Sequence, residues 1–77
     1  MRVRIRYFGR FAVEIGKFSE EIEIPDNSRV RDLIRILSER YPSLKDEVIE
    51  VSMNGNYVDD DSPINREISI FPPISGG

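Results

Sequence analysis

The sequence predicts an α+β domain in which one main helix packs across one face of a mixed sheet of four to five strands. Three observations lead there. Two segments near the N-terminus alternate polar and apolar residues with period two. A middle segment switches to the period of a helix, and the remainder returns to short alternating runs cut by turn residues. At 77 residues the chain makes one domain with one small core, leaving little room for an enclosed active site as well.

The first strand is read in Arg2-Val3-Arg4-Ile5-Arg6-Tyr7-Phe8, where Val3, Ile5 and Tyr7 share the core-facing side. The second, Glu21-Ile22-Glu23-Ile24, alternates with the opposite charge and is ended by Pro25-Asp26-Asn27. Antiparallel pairing would set Arg2, Arg4 and Arg6 against Glu21 and Glu23, each good pair contributing a few tenths to about 1 kcal/mol. The three arginines could also be read as a nucleic-acid stripe. With a net charge of −3 and a pI near 4.9, a balanced solvated face is the simpler reading, and no nucleic-acid partner is expected.

From Val30 the period changes, with Val30, Leu33, Ile34, Leu37 and Tyr41 at the i, i+3, i+4, i+7, i+11 positions of an amphipathic helix. Ser28 is its expected N-cap and Pro42 its stop. Burial of each apolar side chain contributes roughly 1.5 to 3 kcal/mol, so a core role is expected for the stripe, with Ile36 at its flank covering the sheet edge. Val48-Ile49-Glu50-Val51-Ser52-Met53 reads as a third strand, Asn54-Gly55 as the positive-φ step of a tight hairpin, and Asn56-Tyr57-Val58 as a short return. Asp59-Asp60-Asp61 lacks the spaced ligands and turn glycine of a calcium loop and runs into Ser62-Pro63, so it is read as a solvated loop without a metal. The last strand, Glu67-Ile68-Ser69-Ile70-Phe71, is cut off by Pro72-Pro73, neither of which can donate a ladder hydrogen bond. The simplest un-knotted arrangement runs the final strand beside the first at the sheet centre, the ubiquitin-like β-grasp topology. Residues 1–71 then form the globular domain, and 72–77 an extended C-terminal tail.

Composition narrows the chemistry. Hydrophobic residues at 39% and charged residues at 32% suit a soluble globular protein. No apolar run approaches twenty residues, and MRVRIRYF alternates too strictly for a signal peptide, so a cytoplasmic chain with no membrane partner is expected. The absence of cysteine and histidine removes a thiolate nucleophile, the usual general base and the commonest metal ligand. The chain is therefore expected to carry no catalytic residues of its own, to bind no cofactor, and to leave the chemistry to a partner.

Two features lack a structural job. Phe8 continues the outward face of Arg2, Arg4 and Arg6, and Phe71 that of Glu67 and Ser69. Parallel first and last strands would bring both rings out together, with Tyr57 extending the patch. Single exposed aromatics are ordinary, but a cluster beside the exit of the tail is better explained as a docking surface. The tail is the second feature: six residues span about 20 Å when extended, Pro72 and Pro73 stiffen the base, and the absent side chains of Gly76 and Gly77 would let a terminal carboxylate enter a narrow channel. A frayed end is the plainer alternative.

VRIRYFGRF, SRVRDLIRIL, VSMNGNYV and above all the ending FPPISGG resemble the MoaD/ThiS family of ubiquitin-like sulfur carriers, and most closely the small subunit of molybdopterin synthase. The likeness covers essentially the whole chain. It departs at Ile64-Asn65-Arg66-Glu67, which is shorter than the family's turn and lacks its Gly-Asp pair. The resemblance implies that a ubiquitin-activating-type (MoeB-like) adenylating enzyme uses ATP to make an acyl-adenylate at Gly77. Sulfur then replaces the adenylate to give a thiocarboxylate, which a MoaE-like large subunit uses to install sulfur in molybdopterin biosynthesis. On this reading Gly77 bears the sulfur, Gly76, Ser75 and Ile74 thread the channel, Pro73 and Pro72 set the exit, and Phe8, Tyr57 and Phe71 dock. Sulfur carriage toward thiamin or tRNA, isopeptide modification of proteins through Gly77, and a plain interaction module with an inert tail remain alternatives.

Overall fold

The computed structural model describes residues 1–73. Chain order is β1 (Arg2–Tyr7), α1 (Arg10–Ile15), β2 (Ser19–Glu23), α2 (Val30–Arg40), a 3₁₀ turn (Pro42–Leu44), β3 (Glu50–Met53), β4 (Asn56–Tyr57) and β5 (Glu67–Phe71). One five-stranded sheet has the order β2-β1-β5-β3-β4. β1 and β5 run parallel at its centre, with Ile5 opposite Ile68 and Tyr7 opposite Ile70, while the other pairs are antiparallel. This is the ubiquitin-like β-grasp.

Alternation dictates the core. Val3, Ile5 and Tyr7 of β1 and Ile68 and Ile70 of β5 are buried, and they join Val30, Leu33 and Leu37 of α2 in one apolar cluster. Ile34, Ile36 and Tyr41 pack at its margin. The outer sheet face carries the charge. Arg2 and Arg4 both reach Glu21, at 3.1 and 3.2 Å, but Arg6 stands opposite Ser19 and instead pairs with Glu67 of β5 at 3.5 Å.

Local details differ from the sequence reading. Ser28 is not the N-cap of α2: it is buried, its hydroxyl donates to the Pro25 carbonyl at 2.6 Å, and the cap position falls to Arg29. The Asp32 carboxylate accepts the Arg29 N–H at 2.8 Å, the reach-back half of a capping box, while the Asp32 N–H donates to the Arg29 carbonyl at 2.9 Å. β3 begins at Glu50 rather than Val48, whose side chain is exposed. The short α1, which the periodicity did not reveal, buries Phe11 and Ala12 and is closed by Gly16 in the left-handed region at φ 87°. The turn at Ile64–Glu67 needs no glycine, because none of its residues has positive φ; Ile64 is buried and the Arg66 carbonyl accepts the Arg4 N–H at 2.8 Å.

One polar group closes the core at the β2 edge. Glu20, with a side chain only 13% exposed, accepts hydrogen bonds from the Tyr7 and Tyr41 hydroxyls, each at 2.5 Å, and lies 3.3 Å from the Lys17 ammonium. The contact joins β1, β2 and the end of α2. Burial pushes the Glu20 carboxyl up, but hydrogen bonds from Tyr41, Tyr7 and Lys17 outweigh it and the net displacement is downward. Burial, followed by the Glu20 carboxylate, drives the Tyr7 hydroxyl far above its ordinary value.

Since the folded carboxyl titrates below its unfolded value of about 4.3, the stabilisation is complete above that pH and is lost as pH falls through the depressed folded value. Urea unfolding from neutral pH to about pH 3 should show the wild type weakening over this acid range, and Glu20→Gln should flatten that part of the curve. Identical slopes would exclude Glu20. At neutral pH, Tyr41→Phe should cost about 1.5 to 3 kcal/mol, as expected for a hydrogen bond to a charged group.

Candidate functional site

The site is built where the two central strands end. Their parallel ladder continues one step past β1, with the Phe8 N–H donating to the Ile70 carbonyl at 3.1 Å. The next donor in the series would be the nitrogen of residue 72. That residue is proline, so the ladder stops and the chain is released from the sheet. Pro72 is half-buried and Pro73 exposed. Gly9 faces Pro72 with φ +60° and ψ −142°, and a Cβ built on it would lie 3.3 Å from the Pro72 Cδ and Cγ atoms.

Three aromatic rings meet beside this exit. Phe8 and Phe71 are edge to face with centroids 6.2 Å apart, and Tyr57 and Phe71 are tilted at 5.5 Å. Such pairs are worth about 0.5 to 1.5 kcal/mol beyond the area they bury. Phe8 is 46% and Tyr57 64% exposed, while Phe71 between them is half-buried. Tyr57 arrives through the hairpin turn, where Asn54 and Gly55 take φ 54° and 79°. The patch therefore consists of the three residues that alternation and strand order predicted.

A fourth ring was missed by the sequence reading. Phe18, 82% exposed, lines a shallow groove with Arg4, Arg6, Phe8 and Ser19, carrying the aromatic row toward the β2 edge. It precedes β2 in a stretch without periodicity, so no pattern in the sequence marks it. A larger depression at the opposite end of the same face is lined by Met1, Arg2, Arg4, Glu21, Arg66 and Glu67. Its arginines largely face glutamates.

The Asp59–Asp61 loop is exposed and internally bonded. Asp59 accepts from the Asp61 N–H at 3.0 Å, Asp60 through its carbonyl accepts from the Arg31 N–H at 3.0 Å, and Asp61 pairs with the Arg31 side chain. Among the described residues, no cluster of three or more acidic, histidine or cysteine side chains could hold a metal, and no helix is long and apolar enough to cross a membrane. The expected tail residues Ile74, Ser75, Gly76 and Gly77 lie outside the described residues.

Comparison with known proteins bears on this geometry. The family model described as the ThiS family matches residues 5–77. The molybdopterin synthase sulfur carrier subunit of Dictyostelium discoideum is 38% identical, covering 96% of this chain and 94% of its own. The protein of that name from Caenorhabditis briggsae is 32% identical over 97% and 96%. Among solved structures, a Pyrococcus furiosus chain provisionally assigned as molybdopterin converting factor, subunit 1, superposes with a TM-score of 0.86 at 34% identity, covering 96% of this chain and 99% of that one.

If the outer rings are not part of the core, removing them should leave the fold intact. Phe8→Ala and Tyr57→Ala should each change unfolding free energy by no more than about 1 kcal/mol in a urea melt followed by circular dichroism. Losses of several kcal/mol would make the patch structural.

Proposed function

The chain belongs to the ThiS family, and from that membership we propose that it is a sulfur carrier whose C-terminal Gly77 travels as a thiocarboxylate in molybdopterin synthesis. A carboxylate is a poor electrophile because its charge is spread over both oxygens. An ATP-using adenylating partner converts it to an acyl-adenylate, releasing pyrophosphate. A sulfur nucleophile then attacks the acyl carbon and AMP leaves, which places the sulfur on Gly77. Within the large subunit of molybdopterin synthase that sulfur is delivered to the pterin precursor, and the recovered carboxylate can be charged again.

The observation that carries this reading is the union of the aromatic cluster with the tail exit. Phe8, Phe71 and Tyr57 form an exposed apolar patch on the rim from which Pro72 leads the chain away. Central aromatic anchors of this kind dominate binding energy in protein interfaces. A partner seated on them receives the tail at a fixed angle, because the proline step and its contact with Gly9 set where the chain leaves. Gly76, Ser75 and Ile74 thread the partner's channel and Gly77 presents the reacting carbon. The names of the relatives favour molybdopterin over thiamin or tRNA as the destination of the sulfur.

Incubation with ATP, a sulfur donor and the cognate adenylating enzyme should shift the intact mass by the replacement of one oxygen with sulfur, and tandem fragmentation should place the change on Gly77. An unchanged mass with an enzyme shown to be active on another carrier would contradict the proposal. Phe71→Ala should weaken binding to the large subunit by roughly tenfold or more, as for a central anchor.

A further inference from the structure

An activated acyl group reacts with any amine that reaches it, and this chain holds few. It has two lysines, Lys17 and Lys45, against nine arginines, and a guanidinium keeps its proton and does not attack. With the Met1 amino group there are three primary amines.

Two of the three are tied down. The Lys17 ammonium lies 3.3 Å from Glu20 Oε1 and 5.9 Å from the centroid of the Tyr41 ring, and hydrogen bonding to the Tyr41 side chain, followed by that to Glu20, holds its pKa above the ordinary lysine value. The Met1 amino group donates to the Ile24 carbonyl at 2.6 Å and to Asp26 Oδ1 at 2.8 Å. An amine attacks through a free lone pair, so each of these would have to give up its partners as well as the proton that any ammonium must lose. Lys45 is exposed, and its side chain has no hydrogen bond or ion pair among the described residues.

Its position is favourable as well. Lys45 caps the 3₁₀ turn, its own N–H donating to the Pro42 carbonyl at 3.0 Å, and the preceding Leu44 is anchored in the core. The segment belongs to the end of the fold where the chain departs. Tyr41 packs edge to face on Tyr7 with centroids 6.2 Å apart, Arg10 pairs with Glu47, and Gly9, next to Arg10, faces Pro72.

We propose that Lys45 is the chain's acyl-acceptor site, the amine that takes up an activated C-terminal glycine as an amide when no sulfur nucleophile intervenes. This rests on the activation of Gly77 proposed above. The Lys45 amine loses its proton to solvent base and attacks the acyl carbon of the adenylate. A C–N bond forms, the C–O bond to AMP breaks, and AMP departs with the electron pair; nothing is oxidised or reduced. Lysine scarcity then confines this side reaction to one position.

Two measurements decide it. Limiting N-hydroxysuccinimidyl acetate should acetylate Lys45 before Lys17 or Met1, as read by peptide mass; preferential labelling of either other amine would overturn the assignment. In the second, the chain is incubated with ATP and the cognate adenylating enzyme without a sulfur source while pyrophosphate release is monitored. The expected product is a Gly77–Lys45 amide, one water lighter than its separate parts, lost in Lys45→Arg and kept in Lys17→Arg. Pyrophosphate release with no amide, or with an amide elsewhere, overturns the acceptor site alone. Absence of pyrophosphate overturns the activation of Gly77 and the acceptor role with it.

Discussion

Everything else in this molecule follows from the parallel pairing of β1 with β5. It joins the beginning and the end of the described chain at the centre of the sheet, with Ile5 against Ile68 and Tyr7 against Ile70. Parallel strands end on the same side. The residues that follow them, Phe8 and Pro72, therefore emerge together, and the Phe8 and Phe71 rings touch. Had the final strand paired antiparallel to the first, the exit of the chain and the Phe8 ring would stand at opposite ends of the sheet.

The pairing also separates two tasks on a single face. Away from the exit, Arg2 and Arg4 share Glu21, and Arg6 meets Glu67, so the surface is charged but locally balanced. Exposed ion pairs of this kind contribute little stability. They keep the sheet face solvated, whereas the rim by Pro72 is aromatic. On the other side of the sheet, Glu20 fastens the end of α2 to β1 and β2 through Tyr41 and Tyr7. The result is a firm body beneath the aromatic patch, which suits the carrier role proposed above.

Much of this was legible in the sequence because strict alternation in a small sheet leaves little freedom. Arg2–Tyr7 and Glu67–Phe71 assign their own faces, and Asn54-Gly55 fixes the hairpin that carries Tyr57 to the patch. What escaped depends on longer-range contacts or on segments too short to show a period. Six residues of α1 make fewer than two turns, so Phe11 and Ala12 gave no stripe, although Gly9 and Gly16 bracket the helix. Ser28 has the composition of an N-cap, but the chain uses its hydroxyl to hold the Pro25 turn and begins the helix a residue later. Glu20 stands just before the strand read at Glu21–Ile24, whereas β2 runs from Ser19 to Glu23 and includes it; its role depends on Tyr41 approaching from α2, which no local pattern encodes. Phe18 joins the aromatic row only through the path of the connection into β2.

In the proposed role the folded rim supplies recognition and the terminal carboxyl supplies reactivity, and these can be separated by extending the chain with one residue after Gly77. Binding to the cognate adenylating enzyme, measured by titration calorimetry, should keep the Kd of the unextended protein, while thiocarboxylate formation, read by intact mass, should vanish. Sulfur acquired by the extended chain, or binding lost along with it, would contradict this division of labour between rim and terminus.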